Sequence, residues 1–506
     1  MKTFSTLTEL LSIGDPSHIA LAAPCRSPLT FTQLRTQVTA TIASLNQSGI
    51  GRGDRVAIVL PNGPEMASTF VSVAAGATAA PLNPAYRVEE FEFYLTDVNA
   101  KALIVASNDD TAARTVAKRL NVPVIELQAD ATGPAGSFSL TMEGAIATSN
   151  SGIASSDDIA LILHTSGTTS RPKIVPLTQR NVCASARNVR DTLRFTAEDR
   201  GINIMPLFHI HGLIAGLLAP LAAGSQVNCT PGFNALKFFT WMTNAKPTWY
   251  SAVPTMHQTI LARVSNNAEA IATNPLRFIR SSSASLPPQV LLELEKVFNC
   301  PVIESYGMTE AAHQMTSNPL PSAKRIPGSV GIAAGPEVAI MDDSGKLLPP
   351  ERVGEIVIRG ENVTLGYENN VKANAEAFSN GWFRTGDQGV MNAEGYLTLT
   401  GRLKEIINRG GEKISPREVD DVLMDHPAVQ QVITFAMPHD KLGEDVAAAV
   451  VLRDGASATE KELREFVTKR LADFKVPRKI LFLEEIPKGA TGKLQRIGLA
   501  AKLGLG

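Results

Sequence analysis

The sequence has few cysteines and no excess of charge of either sign. Its 506 residues include 4 cysteines, which form neither a CxxC pair nor the CxxC…HxxxH spacing of a zinc site. This pattern argues against a disulfide framework and favours a reducing compartment. The 48 basic and 49 acidic residues leave a net charge of -1, so no sequence-wide field attracts nucleic acid or an anionic membrane. We therefore expect no nucleic acid among the partners.

Long hydrophobic runs are also missing. The longest, at residues 213–223, is about half the length that a membrane helix needs, and Pro220 interrupts it. Glu9 lies within the first apolar patch, which is unlike the uncharged core of a secretory signal. We expect no membrane insertion and a cytoplasmic location.

From residue 55 onward, short β-rich runs alternate with helical ones. The first series of runs lies at 55–60, 65–75, 89–98, 102–106, 111–120 and 122–127. The alternation resumes in a second series at 159–163, 202–207, 248–253, 276–279 and 289–298. A loose Gly/Ser-rich stretch at 133–157 separates the two series. The alternation predicts βαβ units on mostly parallel sheets.

The character of the sequence changes twice in its second half. Near residue 330, alternating strands and hairpin turns predict a β-rich subdomain over about 330–401. Beyond Arg402 the pattern becomes α+β, with capping-box sequences at 415–418 and 459–462. We predict an α/β fold with an N-terminal domain at 1–401, a hinge at 402–406 and a small mobile α+β domain at 407–506.

The most informative string is Thr-Ser-Gly-Thr-Thr-Ser-Arg-Pro-Lys at 165–173, directly after an apolar run. Its hydroxyls, glycine and cations are the groups with which a flexible loop wraps a polyphosphate. It is not a Walker A loop, because no Gly-Lys-Ser/Thr occurs and residues 174–176 look like a strand. A solvated Ser/Thr turn is the alternative. The candidate phosphate ligands are Thr165, Ser166, Gly167, Thr168, Thr169, Ser170 and Lys173.

This string resembles the phosphate loop of the adenylate-forming superfamily, which comprises acyl-CoA synthetases, adenylation domains of peptide synthetases, and beetle luciferases. Four further blocks follow in the order of that family: Glu-Ser-Tyr-Gly-Met-Thr-Glu at 304–310, Thr-Gly-Asp at 385–387, Gly-Arg-Leu-Lys-Glu at 401–405 and Pro-Lys-Gly-Ala-Thr-Gly-Lys at 487–493. The resemblance thus covers essentially the whole chain.

The resemblance implies a site for ATP and Mg²⁺. The ring of Tyr306 would stack on adenine, Asp387 would bind the ribose hydroxyls and Glu310 would help to hold Mg²⁺. Besides the loop, the residues implied for ATP or AMP are Glu304, Ser305, Tyr306, Thr309, Asp387, Arg402 and Lys493.

Lys493 is the implied catalytic residue. Attack of a carboxylate on an α-phosphate brings two anions together, so a mobile cation that bridges both stabilises the transition state selectively. The resemblance also implies that the C-terminal domain turns about Lys404 and brings Gly410 and Gly411 to CoA. A glycine turn before the next helix is the alternative for the two glycines.

Within the superfamily, the chain resembles the oxalate–CoA ligases of plants and fungi. The strings that carry this resemblance lie at 206–213, 281–286, 308–319 and 408–416. A dicarboxylate keeps one anionic end after the other is activated, so its pocket needs hydrogen-bond donors or a cation. His209, Ser283 and His313, together with Lys493, are the candidate residues for the acid.

The implied function is an ATP-dependent acid–CoA ligase, which forms an acyl-adenylate and then a thioester, with oxalate as the favoured acid. The alternatives are a ligase for another short-chain, fatty or aryl acid, a stand-alone adenylation protein that loads a carrier protein, and a non-catalytic nucleotide sensor. Residues 231–234 lack the Asp typical of amino-acid adenylation, and a sensor would tend to lose Lys493 or Glu310.

Overall fold

The computed structural model describes residues 3–142, 150–165, 172–488 and 494–505. Within these ranges the strands are Ile19–Ala22 (β1), Leu29–Thr30 (β2), Arg55–Val59 (β3), Thr78–Pro81 (β4), Ala102–Ala106 (β5), Val124–Ala129 (β6), Phe138–Met142 (β7), Ile159–His164 (β8), Ile174–Thr178 (β9), Arg200–Asn203 (β10), Gln226–Cys229 (β11), Trp249–Ala252 (β12), Phe278–Ser281 (β13), Val302–Met308 (β14), His313–Ser317 (β15), Ile332–Ala333 (β16), Glu337–Met341 (β17), Gly354–Arg359 (β18), Phe378–Ser379 (β19), Trp382–Met391 (β20), Leu397–Arg402 (β21), Ile407–Arg409 (β22), Glu412–Ile414 (β23), Val429–His439 (β24), Gly443–Leu452 (β25) and Lys479–Phe482 (β26).

The α-helices in the same ranges are Leu7–Leu11 (α1), Phe31–Gln47 (α2), Pro64–Ala74 (α3), Val88–Asp97 (α4), Ala112–Arg119 (α5), Gln179–Thr192 (α6), Ala219–Leu221 (α7), Phe238–Ala245 (α8), Pro254–Leu261 (α9), Ala268–Thr273 (α10), Pro288–Phe298 (α11), Val371–Ala377 (α12), Pro416–Met424 (α13), Glu460–Thr468 (α14) and Leu499–Lys502 (α15). A π-helix, His211–Leu218, runs directly into α7. No helix in the described ranges is both long enough and apolar enough to cross a membrane.

Two large sheets carry the first part of the chain. One has the strand order β16-β15-β14-β13-β12-β10-β11-β1-β2, and the other has the order β7-β6-β5-β3-β4-β8-β9. The central pairs of both sheets are parallel, and the antiparallel pairs lie at the ends, such as β8 with β9 and β14 with β15. The predicted α/β architecture of βαβ-type sheets is confirmed.

Two smaller sheets follow. Strands β17 to β21 form an antiparallel sheet in the β-rich region, and β22 to β26 form a sheet that packs with α13 and α14. The segment 402–406 joins them, from the last residue of β21 to the residue before β22. The domain limits and the hinge at this segment stay predictions.

Three local predictions were wrong. The strand expected at 202–207 ends at Asn203, because the chain then passes through Pro206 into the π-helix that begins at His211. The loose stretch at 133–157 contains β7, which pairs with β6. At Ser415 only half of a capping box forms, because the carboxylate of Glu418 binds Lys475 Nζ at 2.7 and 2.8 Å instead. The capping box at 459–462 is complete.

The π-helix between β10 and β11 is wholly buried and packs close to the backbone that precedes it. A Cβ added to Gly212 would lie 2.3 Å from the carbonyl oxygen of Pro206, and one on Gly216 would lie 2.7 Å from the Asn203 side chain. Only glycine permits this approach. The tight packing holds His211, the first residue of the π-helix, beneath the carboxyl ends of the central strands.

Candidate active site

Two adjoining cavities open at the carboxyl ends of the parallel strands β13 and β14. One has a volume of about 330 Å³ and the other about 240 Å³, and they share Ser283, Gly307 and Arg402 as lining residues. Ligands of open α/β sheets bind at this edge. A larger open groove of about 850 Å³ passes Arg55 and Lys101, but no described residue of the sequence blocks borders it.

The smaller cavity contains a pair formed by the 304–310 and 385–387 blocks. The hydroxyl of Tyr306 donates to Asp387 Oδ2 at 2.5 Å, and Arg402 Nε donates to Asp387 Oδ1 at 3.0 Å. Burial, with the nearby Asp387 carboxylate, raises the pKa of Tyr306 well above its usual value, so the phenol stays protonated. Both oxygens of Asp387 thus already have donors, and the carboxylate is fixed at the cavity wall.

The larger cavity has a buried acidic corner. Glu310 Oε1 accepts a hydrogen bond from the Tyr367 hydroxyl at 2.8 Å, and burial raises the pKa of Glu310. Lys173 Nζ lies 4.2 Å from the centroid of the Tyr367 ring, so a cation flanks this corner. Thr165 and Lys173 are paired by a backbone hydrogen bond of 2.9 Å from Thr165 N to Lys173 O, which closes the two ends of the segment between them.

The wall of the larger cavity also contains the polar side chains of His209, Ser283 and His313. Ser283 Oγ lies 3.0 Å from Nδ1 of His211, whose ring stacks on that of His313 with centroids 4.9 Å apart. Ser283 and His313 have φ angles of 73° and 104°, a region that non-glycine residues enter rarely. Such strained backbone concentrates at functional sites, where the surrounding structure enforces it.

Glu304 lies behind the cavity wall. Its Oε1 accepts a hydrogen bond from Leu286 N at 3.0 Å, and its Oε2 is buried without a partner. Burial raises the pKa of Glu304 to about 7, and the charge of Arg417 opposes this shift. The group therefore titrates near neutral pH.

The structure brings most of the predicted site residues to the two cavities. Those that line one or both are Thr165, Lys173, His209, Ser283, Ser305, Tyr306, Thr309, Glu310, His313, Asp387, Arg402 and Lys404. Gly410 and Gly411 line neither cavity. Ser166, Gly167, Thr168, Thr169, Ser170 and Lys493 lie outside the described residues. The roles of all these residues stay predictions.

Sequence reasoning missed several groups that support the site. Tyr367 follows no recognised block, and its role becomes visible only through its contact with Glu310. His211 and Arg280 are fully buried, and His211 contacts Ser283 in the wall of the larger cavity. The sequence holds one signal for each: His211 alternates with His209, and Arg280 directly precedes the serine run at 281–283.

Comparison with known proteins assigns the chain to a family. The family model for AMP-binding enzymes matches residues 14–368, and the model for the C-terminal domain of AMP-binding enzymes matches residues 418–493. The chain belongs to the AMP-binding enzyme family.

The chain is similar to several members of this family along nearly its whole length. It is 44% identical to an oxalate–CoA ligase of Arabidopsis thaliana, with 98% of this chain and 97% of that protein covered. It is 43% identical to an oxalate–CoA ligase of Saccharomyces cerevisiae, with coverage of 88% and 86%. A crystal structure of ATP-bound MatB from Rhodopseudomonas palustris superposes with a TM-score of 0.89 at 29% identity, and 98% of each chain is covered.

These comparisons confirm the predicted family, the fold class and the identification of the chain as an enzyme, an acid–thiol ligase. They also confirm its resemblance to oxalate–CoA ligases. Use of ATP and CoA follows from membership of this family of ligases. Neither the carrier-protein alternative nor the sensor alternative is favoured.

Proposed function

We propose that the protein is an oxalate–CoA ligase, which forms oxalyl-AMP and pyrophosphate from oxalate and ATP and then transfers the oxalyl group to the thiol of CoA, with release of AMP. The observation that carries the proposal is a group of polar side chains in the wall of the larger cavity, formed by His209, Ser283 and His313. This part of the cavity would hold the acid, and we call it the acid end. A fatty-acid pocket would need apolar side chains there, whereas the second carboxylate of oxalate needs donors. Two relatives named as oxalate–CoA ligases, at 44% and 43% identity, support the choice of acid.

The smaller cavity would hold the adenosine part of ATP. Tyr306 presents its ring to this cavity, next to Ser305, and its hydroxyl is tied to Asp387. The Asp387 carboxylate would accept the ribose hydroxyls, while Arg402, shared by both cavities, would neutralise charge between ribose and phosphates. Glu304 would support the adenine pocket from behind the wall through Leu286.

The phosphates would lie between the ends of the 165–173 segment and Thr309. Lys173 and Thr165 both line the larger cavity, and the hydroxyls and glycine of Ser166, Gly167, Thr168, Thr169 and Ser170 belong to the segment that they delimit. Donors of this kind hold the anionic chain and orient the α-phosphate toward the acid.

The donor set fits Mg²⁺ bound together with ATP. In the described ranges no group of three or more His, Cys, Asp or Glu side chains forms a metal cage. Mg²⁺ commonly uses one or two carboxylates together with substrate phosphates, and the buried Glu310, oriented by the Tyr367 hydroxyl, supplies one. Bound there, the ion would neutralise charge on the phosphates of ATP.

We assign the conformation of the chain to the first half-reaction. Leu494, Gln495 and Arg496, which follow Lys493 in sequence, line the smaller cavity, while Gly410 and Gly411 lie away from both. The chain superposes on ATP-bound MatB with a TM-score of 0.89 and on apo MatB with 0.79. Lys493 would bridge the carboxylate and the α-phosphate. Rotation about Lys404 would then withdraw it and bring the two glycines to CoA.

The proposal includes a cytoplasmic location. The four cysteines are free thiols, and three of them, Cys183, Cys229 and Cys300, are buried. Free thiols are the usual state in a reducing compartment.

Pyrophosphate release with Mg·ATP and CoA, measured over a panel of acids, tests the proposal. The panel contains oxalate, malonate, acetate, hexanoate, benzoate and several amino acids. We expect oxalate to give the highest kcat/KM. Preferential turnover of an apolar acid would keep the ligase and refute the assigned acid, and the absence of turnover with every acid would refute the assigned reaction.

A further inference from the structure

A buried cation without a carboxylate partner lies one layer beneath the acid end of the larger cavity. Arg280 is the penultimate residue of β13 and has no solvent exposure. No carboxylate of a described residue forms an ion pair with it, and its Nε has no hydrogen-bond partner. Buried charges in proteins are almost always paired, so an arrangement of this kind needs a reason.

The Nη2 of Arg280 donates a hydrogen bond to Gln314 Oε1 at 3.2 Å, whereas the contacts of its Nη1 lead toward the cavity. Its Nη1 lies 3.4 Å from Ser251 Oγ and 3.4 Å from His211 Nε2, and Ser251 Oγ lies 2.7 Å from the same Nε2. His211 Nδ1 lies 3.0 Å from Ser283 Oγ. Ser283 lines the cavity. A continuous row of polar atoms therefore joins the guanidinium to the cavity wall.

Because arginine can only donate hydrogen bonds, it determines which atoms in this row donate and which accept. A guanidinium cannot accept a hydrogen bond, so Ser251 Oγ and His211 Nε2 are acceptors toward Arg280. The Ser251 hydroxyl hydrogen then points to Nε2, and the neutral His211 ring carries its hydrogen on Nδ1 and donates it to Ser283 Oγ. With that oxygen already accepting, the Ser283 hydroxyl hydrogen is free to point into the cavity. The row thus ends in a donor aimed at the substrate.

The charge of Arg280 remains in place at neutral pH. Burial lowers the pKa of the guanidinium to about 9, which leaves it protonated in that range.

We propose that Arg280 is a positioning and specificity-determining residue: through Ser251 and His211 it orients the Ser283 hydroxyl as a donor, and its unbalanced charge favours acids that keep an anionic group after activation. The inference rests on the proposed function. Oxalate retains one carboxylate as oxalyl-AMP, whereas a monocarboxylate becomes a neutral acyl group and leaves the buried cation without a counter-charge.

The test compares a dianion with a monoanion of similar size. The KM for oxalate and the inhibition constant of glyoxylate against oxalate are measured for the parent enzyme and for Arg280→Met, Arg280→Lys and His211→Phe. In Arg280→Met we expect the KM for oxalate to rise by about tenfold or more, the typical effect of losing a charge-assisted interaction. The glyoxylate constant and the KM for ATP should change by less than about threefold. Arg280→Lys should recover part of the loss.

Arg277→Met is the matched control. Arg277 lies one residue before β13 and its Nε forms an ion pair with Asp199 Oδ1 at 3.0 Å, away from both cavities. This substitution removes an equally large cation but should leave the ratio of the oxalate and glyoxylate constants unchanged.

Equal changes of the oxalate, glyoxylate and ATP constants in Arg280→Met would reduce Arg280 to a packing role and overturn the inference. If Arg280→Met does not fold, His211→Phe decides, because it removes both nitrogens that link the guanidinium to Ser283 and keeps the cation. An oxalate KM within twofold of the parent in that variant would also overturn it. A parent enzyme that does not use oxalate at all refutes the proposed function, and this outcome is seen before any variant is compared.

Discussion

The Tyr306 hydroxyl donates a 2.5 Å hydrogen bond to Asp387 Oδ2, and the two residues are 81 positions apart in sequence. One belongs to β14 of a large sheet and the other to β20 of the β-rich sheet. The bond therefore fixes the β-rich sheet against the edge where the nucleotide is proposed to bind. It also holds the carboxylate that would receive the ribose.

Tyr306→Phe removes this bond and keeps the ring. We expect the KM for ATP to rise by about three- to tenfold, because the Asp387 carboxylate loses one of its two donors, while the KM for oxalate changes little. Initial-rate kinetics with each substrate varied in turn measures both constants. The control is Tyr396→Phe, which removes a similar 2.5 Å bond to the carbonyl oxygen of Lys324, away from both cavities. An equal rise in the ATP KM in the control would contradict the assignment.

His313→Phe tests the acid end of the larger cavity. The substitution preserves a ring that can stack on His211 but removes both ring nitrogens. We expect the KM for oxalate to rise by about tenfold or more, with the KM for ATP nearly unchanged, because a donor to the carboxylate is lost. His426→Phe, in the C-terminal domain, keeps an edge contact with Phe466 and should change neither constant. A tenfold rise in the KM for ATP in His313→Phe would contradict this assignment and indicate that the histidine contacts the nucleotide.

Glu310→Gln separates activity from stability. The amide oxygen can still accept from the Tyr367 hydroxyl, but the charge that would help to hold Mg²⁺ is gone. We expect the Mg²⁺ concentration for half-maximal rate to rise by about tenfold or more. The thermal midpoint should stay the same or rise, because burial disfavours the ionised Glu310. Glu337→Gln, which loses an exposed ion pair with Arg359, is the control for the metal titration.

Glu304→Gln tests the buried carboxyl behind the nucleotide cavity. Burial raises the pKa of Glu304 from 4.5 to about 7 in the folded chain, so the folded state binds the proton more tightly than the unfolded state. The stabilisation from this proton is complete below pH 4.5 and is lost as the pH rises through 7. The loss amounts to about 3 kcal/mol, at 1.36 kcal/mol for each pKa unit.

The glutamine variant cannot titrate at this position. The free energy of unfolding of the parent, measured by urea denaturation, should therefore fall relative to that of Glu304→Gln between pH 4.5 and 7.5. The difference between the two proteins isolates Glu304 from other titrating groups. Parallel pH profiles of the two proteins would mean that Glu304 is ionised in the folded state over the whole range.

Lys493→Ala tests the two half-reactions. We expect adenylation, measured by oxalate-dependent exchange of pyrophosphate into ATP, to fall by at least about 100-fold, because the cation between two anions is lost. Transfer from supplied oxalyl-AMP to CoA should change by less than about threefold. The control is Lys488→Ala, in the same sequence block, which loses only an exposed ion pair with Glu485. Equal loss of both half-reactions in Lys493→Ala would contradict domain rotation.

The alternation of apolar runs and turns was enough to predict the parallel sheets, because buried strands and their crossover helices leave distinct periodicities. The helix at 289–298 was also well placed, since Pro288 stands at its first turn and Pro287 precedes it. The strand predicted at 202–207 is too long, because the strand in the structure ends at Asn203. A run of apolar residues does not reveal where the chain leaves the sheet to enter a buried π-helix.

The sequence predicted those site residues that belong to a recognised motif. It did not predict residues whose role is to contact and orient another site residue. Glu310 stands in a recognisable block, but Tyr367 reaches it from 57 positions away and has no local signal. Arg280 likewise belongs to no sequence block. Its importance follows from burial without a carboxylate partner, which depends on the packing of several distant segments.

A competition experiment tests the central claim most directly. The enzyme is given Mg·ATP, CoA and equal concentrations of oxalate, malonate, acetate and hexanoate, and the thioesters are quantified by mass spectrometry, so that their ratio reports relative kcat/KM. The account predicts that oxalyl-CoA makes up nearly all of the product, and that none forms without ATP. A mixture dominated by acetyl-CoA or hexanoyl-CoA would contradict it.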